Sequence, residues 1–141
     1  LHMPSRRQRQ MCIRDRMANS GRREIQLVLE EALRGRVHDW KWERQGEKNT
    51  RVLKGAMGAL DQMMSTHDLD GRGVVDRLHH FLVAGRTHYP DDLLAALLNA
   101  VSSCDTRLQR SAQQRIQLEE LMHQISAIGD RFLRHPASQS S

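Results

Sequence analysis

The stretch PDDLLAALLNAVSSCDTRLQRSAQQRIQLEELMHQISAIGDRFLR, residues Pro90 to Arg134, decides how this chain is read, because it runs without a break as one helical pattern. Pro90 suits a first helical position, and Asp91 and Asp92 place negative charge at the positive end of the helix dipole. Arg134-His135-Pro136 ends the run. Between these signals Leu94, Leu97, Leu98, Val101, Cys104 and Leu108, then Leu118, Leu121, Met122, Ile125, Ile128 and Phe132, recur at spacings of three and four. A straight helix of this length would extend about 67 Å, against about 34 Å for a first helix over residues 22–44. The polar stretch Gln109 to Arg115 divides the run, and the helix is expected to bend or stand exposed there. Pro90 to Leu108 then completes a local bundle, while Leu118 to Phe132 carries more apolar surface than that bundle covers.

Three helices are expected upstream. The first, from about Arg22 to Arg44 with Asn19 or Ser20 as N-cap, places Ile25, Val28, Leu29, Ala32, Leu33, Val37 and Trp40 on one stripe. Gln45 to Asn49 reads as a polar connection, with Gly46 as the helix stop. A second helix, Thr50 to Thr66, sets Val52 or Leu53, Ala56, Met57, Leu60, Met63 and Met64 on one side and Arg51, Lys54, Gly55, Gly58 and Gln62 on the other. Two glycines on an exposed helical face cost about 1 kcal/mol each relative to alanine. Either that face is bare so that another backbone can come close, or the helix is poor there. After the turn-rich His67 to Gly73, a third helix from Gly73 to Ala84 buries Val74, Val75, Leu78, Phe81 and Leu82. No strand is expected, since nothing alternates with period two for long. The fold expected is all-α, a four-helix bundle with an extended C-terminal helix. It forms a single domain over residues 17–135 and a disordered tail over 136–141.

Composition must be judged after the first sixteen residues. Met11-Cys12-Ile13-Arg14-Asp15-Arg16 back-translates as ATG TGT ATA AGA GAC AGR, which resembles the transposase end sequence used in preparing sequencing libraries. Residues 1–16 are therefore expected to be adapter read-through or a disordered tail. They hold five arginines and one aspartate, so setting them aside reduces 22 basic and 17 acidic residues to 17 and 16, and a net charge of +5 to +1. Most of the basic character that would suggest nucleic acid lies in that tail. Cys104 is then a lone cysteine, which excludes a disulfide framework and favours a reducing, cytoplasmic setting. No apolar run is long enough for a membrane span. With one Tyr, two Phe and two Trp, the core must be mainly aliphatic and methionine.

No phosphate-cradling, dinucleotide-binding, hydrolase-elbow or zinc pattern occurs, so neither an enzyme nor a cofactor is expected. His79 and His80 point about 100° apart on a helix, which separates them as metal ligands, and Asp76, His67 and His88 complete no set. Glu119-Glu120 with His123 resembles half of a di-metal carboxylate-histidine motif, without its second half. A calcium-loop register over Asp68, Asp70 and Gly71 puts Arg77 where a bidentate glutamate is required. Cys104, between Val101 and Leu108, reads as a buried core thiol. His38, Asp39, Trp40, Lys41 and Trp42 with Arg44, Lys48, Arg51 and Lys54 form a basic-aromatic cluster suited to nucleic-acid phosphates. The competing reading is a solvated face whose Trp40 enters the core.

Leu53-Lys54-Gly55-Ala56-Met57-Gly58-Ala59-Leu60 resembles the signature helix of histidine-phosphotransfer domains. There a phosphorylated histidine precedes Leu-Lys-Gly by two residues, and glycine spacing leaves its imidazole accessible. Residues 78–108 resemble the helices that follow in that family. Arg51 stands at the histidine's place, so the resemblance implies a non-phosphorylatable adaptor presenting Arg51, Lys54, Gly55 and Gly58 to a signalling partner. The leading expectation is a non-catalytic helical protein-protein interaction module. It would self-associate as a symmetric dimer through Leu118, Leu121, Met122, Ile125, Ile128 and Phe132. The phosphotransfer-like adaptor and a nucleic-acid-binding helical protein are the alternatives.

Overall fold

The computed structural model describes residues 22–84, 88–110 and 113–134; the expectations for residues 1–16, for a cap at Asn19 or Ser20, and for the tail 136–141 lie outside them. The described chain is mostly helical. Helix α1 covers residues 22–33, and the strands β1 (Asp39–Gln45) and β2 (Lys48–Lys54) follow it. Then come α2 (Gly55–His67), α3 (Gly71–Val83), α4 (Asp91–Arg110), α5 (Gln114–Gly129) and a π-helical turn, Asp130–Arg134. A four-helix bundle is therefore not what forms. Five helices and a β-hairpin do.

The first correction falls at Gly35. Helix α1 buries Ile25, Val28, Leu29, Ala32 and Leu33 as the stripe requires, but it stops eleven residues short of Arg44. Gly35 adopts φ 86°, its N–H donates to the Ala32 carbonyl at 3.0 Å, and the Arg36 N–H donates to the Glu31 carbonyl at 2.9 Å. These paired bonds are a Schellman closure, which satisfies helix-end carbonyls by placing one residue in left-handed space. Val37 still reaches the core, whereas Trp40 does not. Gly35→Ala is expected to lower the midpoint of urea unfolding by an amount equivalent to about 1 kcal/mol, with an unchanged m value. No shift in the midpoint would show that the left-handed turn is not held.

Residues 39–54, expected as helix, polar connection and helix, form one antiparallel hairpin paired from Asp39↔Lys54 to Gln45↔Lys48. Its two-residue loop is Gly46-Glu47, with Gly46 at φ 66° in the first central position, the arrangement of a type II′ turn. Gly46 is thus a hairpin turn rather than a helix stop. An isolated two-stranded hairpin is marginal in water, and this one is clamped at its open end. The Arg36 and Val37 carbonyls accept from the Ala56 and Met57 N–H groups at 2.7 and 3.0 Å. The chain entering β1 thereby caps the N-terminus of α2, which has no side-chain cap.

Helix α2 buries Ala56, Met57, Leu60 and Met63. Helix α3 starts at Gly71 rather than Gly73, because Asp70 is its N-cap and accepts from the Gly73 N–H at 2.8 Å. It buries Val74, Val75, Leu78 and Leu82. In α4, Leu93, Leu97, Ala100, Val101, Cys104 and Leu108 are buried, with Leu94 and Leu98 packed at the margin.

The long run does not continue as one helix. Helix α4 ends at Arg110 and α5 begins at Gln114, inside the polar stretch where a bend is expected. Helix α5 folds back along α4, where Cys104 Sγ donates to the Gln117 carbonyl at 3.6 Å and Arg107 Nε donates to Gln117 Oε1 at 2.8 Å. It also reaches the other three helices. Gln114 Oε1 accepts from the Gly71 N–H at the start of α3 at 2.8 Å, and Arg115 makes two hydrogen bonds to Asp61 of α2, at 2.5 and 3.0 Å. Gly129 lies directly against the Leu33 backbone of α1. The second half of the run is thus the central helix of the fold. Its stripe, Leu118, Leu121, Met122 and Ile125, is buried within this chain.

Candidate functional site

Directly opposed residues of an antiparallel pair share a face, so the hairpin's register sorts its side chains. One face carries Trp40, Trp42, Arg44, Asn49, Arg51 and Leu53; the other carries Asp39, Lys41, Glu43, Gln45, Lys48, Thr50, Val52 and Lys54. No residue of either strand is buried. Trp40 is 52% exposed and Trp42 70% exposed, so the reading in which Trp40 enters the core is overturned. The Arg51 guanidinium lies over the Trp40 ring, 5.0 Å from its centroid. All three hairpin carboxylates lie off this face. Asp39 pairs with Lys41 at 3.6 Å and Glu43 with Lys54 at 2.7 Å on the opposite face, and Glu47 is in the turn. The indole face therefore holds two guanidinium groups and no acid. Arg44 and Arg51 have no carboxylate partner among the described residues.

A second polar cluster runs from α2 to α5. Arg115 holds Asp61 and, at 3.4 Å, Glu119; Glu119 lies 3.8 Å from His38 Nε2, and the His38 and His123 rings are 5.7 Å apart. Hydrogen bonding to Asp61 is the main cause that raises the Arg115 pKa above its usual value. Each strong contact here is already made within the fold. Among the described residues no group of three or more His, Cys, Asp or Glu side chains is placed to hold a metal ion. Asp76 and His80 pair with each other at 3.5 Å on the surface of α3. His67 Nε2 lies 2.8 Å from Glu24, tying α2 to α1.

Cys104 is buried, and burial is the main cause that pushes its thiol above the ordinary range, only partly opposed by Arg107. A thiol held protonated is a poor nucleophile. An open groove of about 670 Å³ between α3 and α4 is lined by Arg72, Asp76, His79, Ser102, Asp105 and Thr106 among others.

The four residues implied by the phosphotransfer resemblance do not share an exposed helical face. Arg51 and Lys54 lie in β2, on opposite faces of the hairpin. Gly55 adopts φ 80° at the strand-helix junction, where a Cβ would stand 2.5 Å from the Arg36 carbonyl oxygen, and Gly58 lies under the Leu53 carbonyl. A backbone does approach the glycines, but it is this chain's own. Of the expected dimer seam, Leu118, Leu121, Met122 and Ile125 are buried, and Ile128 and Phe132 pack partly against the same core. Trp42 and Arg44 belong to the basic-aromatic cluster legible in the sequence. The aromatic and β-branched residues Trp40, Trp42, Thr50 and Val52 on either side of Gly46-Glu47 are the composition signal for the strands that carry them.

Fold and site together define a mostly helical chain bearing a solvent-facing tryptophan-arginine ribbon. No family model matches it, and no solved structure matches it significantly. It is similar to curated replication factor C small subunits of three organisms. With the protein of Sulfurisphaera tokodaii it shares 23% identity over 75 residues, 53% of this chain and 23% of that protein. With that of Methanopyrus kandleri it shares 30% over 73 residues, 52% and 11%, and with that of Methanocella arvoryzae 26% over 100 residues, 71% and 26%. The matched stretch is about a quarter or less of each relative's length. Among the described residues no helix is long and apolar enough to cross a membrane.

Proposed function

We propose that this chain is a non-catalytic helical assembly module, working through protein-protein contacts within a multi-subunit factor of the replication type. The observation that carries the reading is the similarity to replication factor C small subunits, which spans 52–71% of this chain and 11–26% of the relatives. A match of that extent takes in at least two of the helices described above and only a fraction of each relative. A protein named as a subunit acts through contacts with other subunits, and a helical body supplies the faces for them.

With the α5 stripe committed to the chain's own core, such contacts fall on outer surfaces. Helix α4 presents Ala95, Asn99, Ser102 and Thr106, exposed and uncharged, at spacings of four, three and four, the last two also lining the groove against α3. A face of small side chains lets another helix approach closely. In isolation the expected form is a homodimer through α4. Light scattering on the full chain at micromolar concentration tests this, with Asn99→Arg/Ser102→Arg as the variant that disrupts the face. A dimeric parent and a monomeric variant with unchanged circular dichroism is the expected result. A monomeric parent at every concentration, or a variant that remains dimeric, overturns it.

A further inference from the structure

We propose that the indole face of the β1–β2 hairpin is a binding site for single-stranded nucleic acid. The exposed rings of Trp40 and Trp42 stack on bases, and Arg44 and Arg51 meet the phosphates. This inference does not rest on the assembly reading.

Four observations converge on it. Trp40 and Trp42 are two residues apart on β1, which places them on one face about 7 Å apart. Both are more than half exposed, although indole is among the most favourable side chains to bury. The hairpin is held by its hydrogen-bond ladder, by the Gly46-Glu47 turn and by the clamp at Arg36 and Val37, and neither ring is buried in the core; the Trp40 ring is touched by the Arg51 guanidinium, 5.0 Å from its centroid. Charge is segregated as well. The hairpin's paired acids neutralise lysines on the opposite face, whereas Arg44 and Arg51 face the same side as the rings with no carboxylate partner among the described residues.

Rings interleaved with uncompensated guanidinium groups match a polyanion carrying flat bases. Aromatic side chains supply a sequence-tolerant platform, and cations follow the backbone beside them. The site selects a single strand because duplex bases already stack on one another and offer no face to an indole. A protein partner fits less well, since an apolar interface would continue into an aliphatic surround. Here the only aliphatic neighbour on the face is Leu53, which already packs against the core.

The test uses the full chain with Arg6, Arg7, Arg9, Arg14 and Arg16 changed to Gln, so that the N-terminal arginines cannot supply the affinity. Fluorescence anisotropy of a labelled oligothymidine of about 20 nucleotides, long enough for any site of this class, reads binding. The expected result is saturable binding that an equal length of duplex DNA competes poorly. Trp40→Ala/Trp42→Ala should weaken it by at least about 30-fold, and Trp40→Phe/Trp42→Phe should restore most of the loss. Arg44→Gln/Arg51→Gln should reduce the slope of log affinity against log salt by about 1.4, the value for two phosphate contacts on a single strand. Unchanged circular dichroism in the alanine variant separates a lost site from a lost fold, and an unfolded alanine variant passes the decision to the arginine pair. Absent binding, equal affinity for duplex, or tryptophan and arginine pairs without effect overturn the proposal. So does loss of self-association, rather than of DNA binding, on removing the tryptophans.

Discussion

Gly129→Ala is expected to destabilise the chain by about 3 kcal/mol, at the upper end of what one added methyl group does in a packed interior. In the last turn of a free helix the same change would stabilise by about 1 kcal/mol, so the sign itself is informative. A Cβ on Gly129 would fall on the carbonyl of Leu33, with the Leu33 Cα and carbonyl carbon immediately behind. These are backbone atoms at the closed end of α1, and no rotamer change moves them aside. The same carbonyl accepts a hydrogen bond from Arg134 Nη1, while Arg134 Nη2 donates to the Ser126 carbonyl at 2.8 Å. Pushing α5 away from α1 therefore also opens the arginine clasp that ties the π-helical turn to the helix end. Thermal unfolding followed by circular dichroism should show a fall in Tm of about 10 °C. An unchanged or raised Tm would mean that the two backbones do not approach.

Gly58→Ala is the second large effect, and there too helix propensity and packing predict opposite signs. A helical alanine gains about 1 kcal/mol over glycine, but a Cβ at residue 58 would fall on the Leu53 carbonyl of β2. Net destabilisation of about 2 kcal/mol is expected from urea unfolding, because contact with backbone in a tight junction outweighs propensity. The loss should be local as well as global. Hydrogen exchange of the β1–β2 ladder should accelerate in the variant more than that of α4, since Gly58 sets how closely the hairpin's second strand lies on α2. Stabilisation would instead place Gly58 on the open helical face that periodicity suggests.

Gly58 also shows how far the sequence could be read. Two glycines on a polar helical arc leave open either a close backbone approach or a poor helix, and the approach exists. Nothing in the local pattern said that the backbone belonged to residues just upstream. Gly35 was the harder position: Val37 and Trp40 follow Leu33 at spacings that continue a helical stripe, so the stripe ran past a glycine already in left-handed space. The hairpin then disappeared from view for a physical reason. Both of its faces meet water, so it lacks the apolar-polar alternation that marks a half-buried strand. Helical periodicity accordingly places its tryptophan-arginine face on a helix, with Trp40 in the core, although the residues composing it read as one basic-aromatic group.

The sequence by itself determined that the chain after His67 is helical, that the run from Pro90 is interrupted by a polar stretch between Leu108 and Leu118, and that the core is aliphatic and methionine. Those features follow from side-chain periodicity and turn chemistry, which act over a few residues. Only the tertiary structure decided what covers Leu118 to Ile125. A 3.6-residue period states that a face is apolar, and it is equally satisfied by a second copy or by the chain's own remaining helices. The fold-back between Arg110 and Gln114, with Gln114 on Gly71, Arg115 on Asp61 and Gly129 on Leu33, directs that face inward. These contacts join residues 43 to 96 positions apart. Through them the stretch expected to need another chain becomes the helix against which the other four are packed.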